Sequence, residues 1–555
     1  MKEPRISLAI VLFFLGGAAV TGKLFFLQVV NYDFYSALAE GQHSFFENII
    51  GDRGEIFLQD KFGETRPLAS NISSSICFAS LNELEEAKET VSKVSQILGM
   101  EEDALSKKFE ESLSNFLVIK EDLTDEESSL IKEASLAGIY TAEQKKRNYP
   151  SNDFASHLTG FVNKDGEGQY GTEQYYDELL SPESLFLEGE KGPAGYFFPG
   201  QEAMLKGADI FLTIDYNIQF QAEKLLDSAK ESLSIDSGQI IVIEPHTGKI
   251  LALASLPSYD PNFYASEEMG DFVNGAIQKL FEPGSVLKAL TMASAMNEGA
   301  VTPNTTYNDA GYVEVGGHRI ENYNQRVYGE GVTMTEVLEK SINTGAMFAE
   351  QELGHQKFLE YLEKFGLFET TGIDLPGESF SVNQELKKGY EAGFATASFG
   401  QGIALTPIQL VMAFCVLANG GDLVTPYVVE KIVKGDKITV TEPEIKEEKV
   451  ISKETSSKIT AMLVSAVENA FSRRAQIPGY YVAGKTGTAQ VPLEGEYSDK
   501  TWQSFIGYAP AFDPRFLILV KLDDPEAKTA EYSAIPVFRD LAKYIIDYYQ
   551  ISPDE

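Results

Sequence analysis

The sequence is poor in cysteine and histidine. Its 555 residues include two cysteines and five histidines. Cys77 and Cys415 are far apart, and we do not expect a disulfide between them. Cys415 lies in the apolar run LVMAFCVLANG, which indicates a buried thiol. The histidines show neither H-x-x-x-H nor Cys/His ligand spacing, so we predict no metal site, and we expect no cofactor.

Basic residues are also scarce. The chain has 46 lysines and arginines against 83 aspartates and glutamates, which gives a formal net charge of -37. Such a chain repels nucleic acid, so a DNA- or RNA-binding role is not expected. The hydrophobic content of 43% is ample for a packed core. The length is too great for one ordinary domain and suits two or three.

The N-terminus predicts a membrane anchor. Lys2 and Arg5 precede an apolar run that Lys23 interrupts and that continues to Val30. Residues 1–30 are long enough to span a bilayer, with Lys23 near one boundary. The basic leader predicts a cytoplasmic N-terminus and an extracytoplasmic remainder. A cleaved signal peptide is the alternative, because GGAAVTG offers small residues, but the length favours an uncleaved anchor.

Residues 31–206 differ from the rest of the chain in composition and residue pattern. From Leu81 to about Lys146 the segment is acidic and its pattern is helical, which is typical of solvated helix faces. Gly166, Gly168 and Gly171 spell G-x-G-x-x-G, the pattern of dinucleotide-binding loops. Because no repeated βαβ pattern surrounds these glycines, we interpret them as an ordinary turn.

Residues 207–555 predict an α+β domain. DIFLTID, GQIIVIEP, KILALAS, WQSFIGYAP and FLILVKLDD have the composition of strands. YNIQFQAEKLLDSAKESL and the closing PVFRDLAKYIIDYY have the periodicity of helices. Between them lies mostly helical sequence up to about Asn419. We therefore predict an antiparallel sheet, helices from both ends of this domain, and an inserted helical lobe.

A candidate nucleophile stands in the run FEPGSVLK, Phe281 to Lys288. Pro and Gly mark the entry to a helix, which places Ser285 in its first turn and Lys288 on the same face. A lysine in a dry pocket has a lowered pKa and can accept the serine proton. The positive end of the helix favours the alkoxide that forms.

Two later fragments support this interpretation. Ser341 and Asn343 form S-x-N in LEKSINTGAM, and residues 485–488 form K-T-G-T in YYVAGKTGTAQ. S-x-x-K also occurs at Ser129 and Lys132, in an acidic helical segment with no other support. The ordered set S-x-x-K, S-x-N, K-T-G is the motif set of penicillin-binding proteins and class A β-lactamases.

Further fragments carry a resemblance over nearly the whole chain. They are GDRGEI, RNYP, GQYGTE, ASLPSYDPN, GIDLPGE and SFGQGIALTPIQL. The chain resembles a class B penicillin-binding protein: a transmembrane helix (1–30), an elongated mixed pedestal of the dimerisation type (31–206), and a penicillin-binding, serine β-lactamase-like transpeptidase domain (207–555). GDRGEI and GQYGTE match the pedestal of that family.

The resemblance implies a peptidoglycan D,D-transpeptidase. Ser285 attacks a stem peptide that ends in D-Ala-D-Ala, and an amine from a neighbouring stem resolves the acyl-enzyme. Lys288 is the expected base for acylation. Ser341 relays a proton to the leaving nitrogen, and Asn343 binds Lys288 and the acyl amide. An isolated SINTG would be interpreted as a helix N-cap.

The K-T-G segment is expected on an exposed strand, to which an extended peptide adds by main-chain pairing. Lys485 supplies positive charge, and Thr486 and Thr488 bind the substrate carboxylate. Gly487 lets the substrate backbone approach. The backbone N–H groups of Ser285 and Thr488 form the expected oxyanion hole.

Four further residues stand out in or near these motifs. Asp260, Asn262 and Glu282 match family motifs and are interpreted as structural. The single Trp502 is expected either to line the cleft or to pack in the core.

SFGQGIALTPIQL and LPGE resemble the division type, which implies β-lactam binding and a polytopic lipid II polymerase as partner. The polymerase contacts are expected on residues 1–30 and on the pedestal. The alternatives are side-wall elongation, a D,D-carboxypeptidase or β-lactamase-like hydrolase, and a non-catalytic β-lactam sensor or scaffold.

Overall fold

A computed structural model describes residues 44–84, 87–112, 114–190, 206–469, 471–493 and 496–554. The predicted anchor, residues 1–30, lies outside these ranges. Within them, no helix combines the length and the apolar character that crossing a membrane requires. The anchor therefore stays a prediction.

The described strands range from 2 to 16 residues in length. In chain order they are β1 (Ser44–Ile50), β2 (Ile56–Gln59), β3 (Thr65–Ser80), β4 (Phe116–Leu123), β5 (Ile139–Asn148), β6 (Phe161–Val162), β7 (Gly168–Gln169), β8 (Ser184–Glu190), β9 (Asp209–Asp215), β10 (Ser237–Ile243), β11 (Ile250–Leu256), β12 (Thr306–Asp309), β13 (Tyr312–Val315), β14 (His318–Glu321), β15 (Gly329–Thr333), β16 (Leu423–Val424), β17 (Val429–Lys434), β18 (Lys437–Val440), β19 (Ile445–Glu447), β20 (Ala483–Leu493), β21 (Glu496–Ala509) and β22 (Phe516–Asp523).

The α-helices fall mostly in the second half of the chain. They are α1 (Ala87–Leu98), α2 (Glu102–Glu111), α3 (Asp125–Ala134), α4 (Ser156–Thr159), α5 (Gly171–Tyr175), α6 (Asp177–Leu180), α7 (Tyr216–Leu233), α8 (Gly275–Gln278), α9 (Lys288–Asn297), α10 (Met334–Glu339), α11 (Asn343–Leu353), α12 (His355–Lys364), α13 (Gln384–Lys387), α14 (Glu391–Ala397), α15 (Pro407–Ala418), α16 (Lys453–Asn469) and α17 (Ala534–Tyr549).

The chain forms two compact units. One comprises residues 1–53 and 181–207, and in its described part β1 pairs antiparallel with β8. The other comprises residues 54–180 and 208–555. It contains the other strands and the helices of the described ranges. The predicted domain boundaries after residues 30 and 206 are not tested by this division and stay predictions.

A five-stranded antiparallel sheet forms the centre of the larger unit, in the order β11-β10-β22-β21-β20. Helices α7 and α17 pack on one face through a cluster of buried apolar side chains. Helices α9 and α15 pack on the other face within the largest core cluster. The predicted sheet, with helices from both ends of the domain, is therefore confirmed.

The strand DIFLTID is also confirmed, but it belongs to another sheet. As β9 it pairs in parallel with β2 and antiparallel with β17, inside a sheet of order β18-β17-β9-β2-β3-β4 in which β5 also pairs with β3. Most of its residues are buried. Apolar residues on both faces predict a central strand, but they do not identify its neighbours.

The acidic segment from Leu81 to Lys146 contains the predicted helices α1, α2 and α3. It also contains β4 and β5, which the helical interpretation missed. Both strands pair with β3. In β4 the sequence FLVI supplies aromatic and β-branched residues, which favour a strand once β3 is available as a partner.

Of the G-x-G-x-x-G glycines, Gly166 lies in a turn, as predicted, and Gly168 lies on strand β7. Strands β6 and β7 make a short antiparallel hairpin, and the Asn163 carbonyl accepts a hydrogen bond from Gly166 N–H at 3.1 Å. Gly171 begins α5 with φ +48°. No parallel strand pair adjoins this hairpin in the described residues, so the segment is not a dinucleotide fold.

Candidate active site

Ser285 lies in a 3₁₀ turn, residues 284–287, immediately before α9. The N–H of Lys288 donates to the carbonyl of Ser285, and Lys288 is the first residue of the α-helix. Ser285 thus lies in the turn that enters the helix, as predicted, and this turn has 3₁₀ geometry. Gly284 opens this turn with φ +59°, a conformation that favours glycine. Its N–H donates to the carbonyl of Gly400 at 3.0 Å.

The K-T-G-T segment lies on β20, the edge strand of the five-stranded sheet, as predicted. The 3₁₀ turn packs directly against this strand. A Cβ on Gly284 would approach the carbonyl oxygen of Thr488 to 2.9 Å. A Cβ on Gly487 would approach the carbonyl oxygen of Pro283 to 2.7 Å. The predicted nucleophile and the predicted substrate strand are thus in contact.

Lys288 is fully buried, and its ammonium group is held by the S-x-N motif. Its Nζ donates to the carbonyl of Ser341 at 2.6 Å and to Oδ1 of Asn343 at 2.7 Å. Asn343 is the first residue of α11, and its Nδ2 donates to the carbonyl of Glu321 at 3.0 Å. The structure thus brings together two of the three motifs through side-chain contacts.

Ser341 joins the third motif to the first two. Its Oγ accepts hydrogen bonds from Nζ of Lys288 at 3.3 Å and from Nζ of Lys485 at 3.1 Å. The Ser341 backbone has φ +53°, which is uncommon for a residue other than glycine. This conformation is typical of residues held in place at functional sites.

Both lysines are buried without a carboxylate among their described contacts. Burial and the nearby charge of Lys485 hold the pKa of Lys288 well below its ordinary value. Burial lowers the pKa of Lys485 to about 7. Because two ammonium groups close together in a dry site repel each other, at least one amine is neutral near pH 7. A neutral amine beside Ser341 and the 3₁₀ turn is able to accept a proton.

The remaining predicted site residues lie along β20. Thr486 and Thr488 are half-buried, and Oγ1 of Thr486 accepts from Nζ of Lys485 at 3.3 Å. Thr488 lies beside Gly284, the residue that precedes Ser285. The backbone N–H groups of Ser285 and Thr488 therefore belong to adjoining segments, and their role as an oxyanion hole stays a prediction.

Other motif residues have architectural contacts. The Asp260 carboxylate accepts from Asn262 N–H, and the Asn262 side chain bonds both backbone groups of Tyr149. Glu282 accepts from Gly402 N–H and from the hydroxyl of Tyr497. These contacts agree with the structural roles predicted for Asp260, Asn262 and Glu282.

Trp502 is half-buried on β21 opposite Ala489, and its ring meets the edge of Phe281 with centroids 6.2 Å apart. It packs against the main core cluster.

The second S-x-x-K lies away from this chemistry. Ser129 is exposed on α3, and its Oγ donates to the carbonyl of Asp125. Two residues that the sequence interpretation missed, Asp309 and Asn322, lie next to the S-x-N motif through hydrogen bonds to Thr344. No spacing relates these two residues to that motif, so the single sequence offered no signal for them.

Comparisons with known proteins agree with this geometry. The family described as Penicillin binding protein transpeptidase domain matches residues 238–543, and the family described as Penicillin-binding Protein dimerisation domain matches residues 48–185.

The chain is 33% identical to Stage V sporulation protein D of Bacillus subtilis, over 86% of this chain and 74% of that protein. It is 28% identical to the peptidoglycan D,D-transpeptidase FtsI of Escherichia coli K12, over 97% of this chain and 90% of that protein.

A solved structure has the same fold. Penicillin binding protein 3 from Mycobacterium tuberculosis, in complex with ampicillin, superposes with a TM-score of 0.69 at 25% identity. The match covers 91% of this chain and 97% of that one. The chain therefore belongs to the class B penicillin-binding proteins, which confirms the resemblance seen in its motifs.

Proposed function

We propose that this protein is a peptidoglycan D,D-transpeptidase of the division type and a target of β-lactams. One observation carries the proposal. The Ser341 hydroxyl lies between the buried amines of Lys288 and Lys485, and the turn that bears Ser285 packs against the edge strand β20. The relatives named as D,D-transpeptidases and the family's complex with ampicillin support the same function.

In the proposed acylation, Ser285 Oγ attacks the carbonyl of the penultimate D-Ala, and its proton passes to the neutral amine of Lys288. The tetrahedral oxyanion is stabilised by the N–H groups of Ser285 and Thr488, each donor contributing about 3 kcal/mol. Collapse breaks the peptide bond. A proton delivered through Ser341 lets the terminal D-Ala leave as a neutral amine.

Deacylation reverses these roles. The amino group of a neighbouring stem peptide attacks the acyl-serine carbonyl and forms a new peptide bond. The proton that this amine loses returns through Lys288 to Ser285 Oγ.

The same site accounts for binding of the substrate. An extended stem peptide adds to β20 by main-chain hydrogen bonds, because the outer edge of this strand has no partner strand in the described sheet. Its terminal carboxylate lies near the hydroxyls of Thr486 and Thr488, with Lys485 supplying positive charge. Asn343 holds the acyl amide.

We further propose that residues 1–30 anchor the protein in the cell membrane with its N-terminus in the cytoplasm. The basic leader and the apolar run support this topology. A polytopic lipid II polymerase is the proposed partner. Residues 1–30 and the N-terminal pedestal would form its contact surfaces.

Labelling with a fluorescent penicillin tests the nucleophile. We expect covalent labelling of the wild-type chain and of Ser129→Ala, which removes the other S-x-x-K serine, and no labelling of Ser285→Ala. Labelled Ser285→Ala protein would overturn the assignment.

Turnover of nitrocefin distinguishes the alternatives. A transpeptidase stays acylated, whereas sustained turnover would indicate a β-lactamase-like hydrolase. A chain that binds penicillin only reversibly would be a sensor or scaffold. A functional fluorescent fusion then separates septal from side-wall localisation.

A further inference from the structure

Asp309 is a buried carboxylate close to the S-x-N motif. It is 3% exposed, and the structure shows no lysine or arginine paired with it among the described residues. Instead, four groups donate hydrogen bonds to its oxygens. The donors are Gly311 N–H at 3.1 Å, Tyr328 N–H at 2.7 Å, Thr344 Oγ1 at 2.7 Å, and Asn322 Nδ2 at 3.0 and 3.2 Å. Each of these contacts requires an acceptor at residue 309.

Asn322 links Asp309 to the first turn of helix α11 by hydrogen bonds. The residue before that helix is Ile342, whose side chain cannot cap it, and no side-chain cap is present there. Oδ1 of Asn322 accepts from Thr344 N–H at 3.1 Å and so caps the helix from a distant segment. Nδ2 of Asn322 donates to Asp309 and to the carbonyl of Arg326. These two acceptors fix which end of the amide faces the helix.

The same segment orients the catalytic amide. Nδ2 of Asn343 donates to the carbonyl of Glu321, the residue before Asn322, and Oδ1 of Asn343 then faces Nζ of Lys288 at 2.7 Å. A carboxamide that has one end fixed presents its other end in a defined direction. Asn343 is therefore held on one side by α11 and on the other by residues 321–322.

We propose that Asp309 is a positioning residue for acylation, which acts through Asn322 and Glu321 on the orientation of Asn343. This inference rests on the proposed transpeptidase function, and it adds a residue that touches neither substrate nor Ser285. Asp309 lies 34 residues before Asn343, on β12, in a part of the chain that the three catalytic motifs leave unassigned.

Asp309→Asn is the decisive variant. It preserves shape but replaces one acceptor oxygen with an NH₂ group, which then faces donors. We expect the rate constant of acylation by fluorescent penicillin to fall roughly 10- to 100-fold, since misplaced catalytic groups cost rates of this order. The dissociation constant of the complex before acylation should stay within about threefold, because Asp309 touches no ligand.

Asp374→Asn serves as the matched control. That carboxylate is also surrounded by donors, namely the N–H groups of Val428 and Val429 and the hydroxyl of Tyr176. It contacts none of the catalytic side chains. We expect a lower melting temperature but an acylation rate constant within about twofold of wild type. An equal loss of rate in both variants would overturn the positioning role.

A double-mutant cycle separates positioning from general damage. If Asp309 acts through Asn343, then Asp309→Asn adds little further loss in an Asn343→Ala background. Fully additive losses would contradict the proposal. If Asp309→Asn folds poorly, Asn322→Ala takes its place. This variant removes the cap of α11 and should lower the acylation rate constant to the same extent.

Hydrogen exchange tests the inference without using penicillin. The Thr344 amide should exchange slowly in the wild-type chain and in Asp374→Asn. It should exchange at least about tenfold faster in Asp309→Asn, because Asn322, whose Oδ1 accepts from that amide, loses the carboxylate that orients it. Unchanged exchange would overturn the inference. If the three chains differ in exchange as expected but penicillin does not acylate the wild-type chain, the result contradicts only the proposed function.

Discussion

The side-chain amine of Lys485 is buried in the site and almost inaccessible to water. The residue is 1% exposed, and its Nζ contacts are the hydroxyl of Ser341 and the carbonyl and hydroxyl of Thr486. A protonated amine is costly in such a place because no carboxylate among the described residues compensates its charge. A buried lysine that serves catalysis lowers the stability of the fold, so replacing it with an apolar residue should raise the free energy of unfolding.

Lys485→Met should therefore stabilise the protein while it abolishes acylation. An unfolded lysine has a pKa of about 10.4, and burial lowers that of Lys485 to about 7. Between these values the unfolded chain binds more protons, so the free energy of unfolding of the wild type rises with pH. Below about pH 7 the penalty is fully present. Allowing for lost hydrogen bonds, we expect a gain of about 1–3 kcal/mol at pH 6.

Melting temperatures at pH 6 and at pH 9.5 check this expectation. The gain from Lys485→Met should be clear at pH 6 and should shrink at pH 9.5, where the wild-type amine is neutral in the folded state. A variant that is less stable than wild type at pH 6, or a gain independent of pH, would show that the burial of this amine is not the dominant cost.

Lys288→Arg tests the base. A guanidinium stays protonated at any pH that proteins tolerate, so it cannot accept the proton of Ser285. We expect the acylation rate constant to fall about 100- to 10,000-fold, the range typical of general-base catalysis. Lys340→Arg is the control, because Lys340 adjoins Ser341 in sequence but pairs with Glu336 on a partly exposed helix. Its rate should not change, and retained acylation by Lys288→Arg would assign the base elsewhere.

At the scale of elements, the site depends on how closely the 3₁₀ turn approaches β20. The approach leaves no room for a side chain at residue 487, where a Cβ would lie 2.4 Å from Oγ of Ser504 and 2.7 Å from the carbonyl oxygen of Pro283. The second of these atoms belongs to the backbone and cannot rotate away. Glycine is thus required here by contact and not by its own dihedral angles.

Gly487→Ala should push the strand away from the turn. We expect acylation to fall by about 100-fold, since a displacement near 1 Å suffices for a loss of that size. Gly393→Ala is the control: this helical glycine has no atom within 4 Å of a built Cβ. It should stabilise the chain by roughly 0.5–1 kcal/mol and leave the rate unchanged. An active Gly487→Ala enzyme would contradict the contact between the turn and β20.

The sequence predicted what is local and missed what depends on distant partners. The three motifs are each a few residues long, and their side chains meet because a turn, a helix start and an edge strand present them. The N–H of Gly284 donates to the carbonyl of the distant Gly400, a contact that no local pattern reveals. The cap that Asn322 gives to α11 joins residues 22 positions apart. A single sequence carries no record of such a pair.

At the scale of the whole molecule, the larger compact unit does not end where the transpeptidase segment begins. Apolar residues from the first 180 positions share one core cluster with residues of the catalytic region; they include Ile56, Leu58, Leu68, Leu158, Phe161 and Leu180. Strand β2 also supplies a parallel partner for β9. The catalytic region therefore relies on the N-terminal segment for part of its packing.

Chains truncated at two positions test this dependence. Removing residues 1–30 should leave the melting temperature and the acylation rate close to those of the full chain. A chain of residues 207–555 exposes one edge of β9 and the surfaces that Ile56 and Leu58 cover. Because each buried aliphatic side chain contributes about 1.5–3 kcal/mol, we expect it to melt at least about 10 °C lower or to aggregate. Equal melting of both truncated chains would show that the segments fold independently.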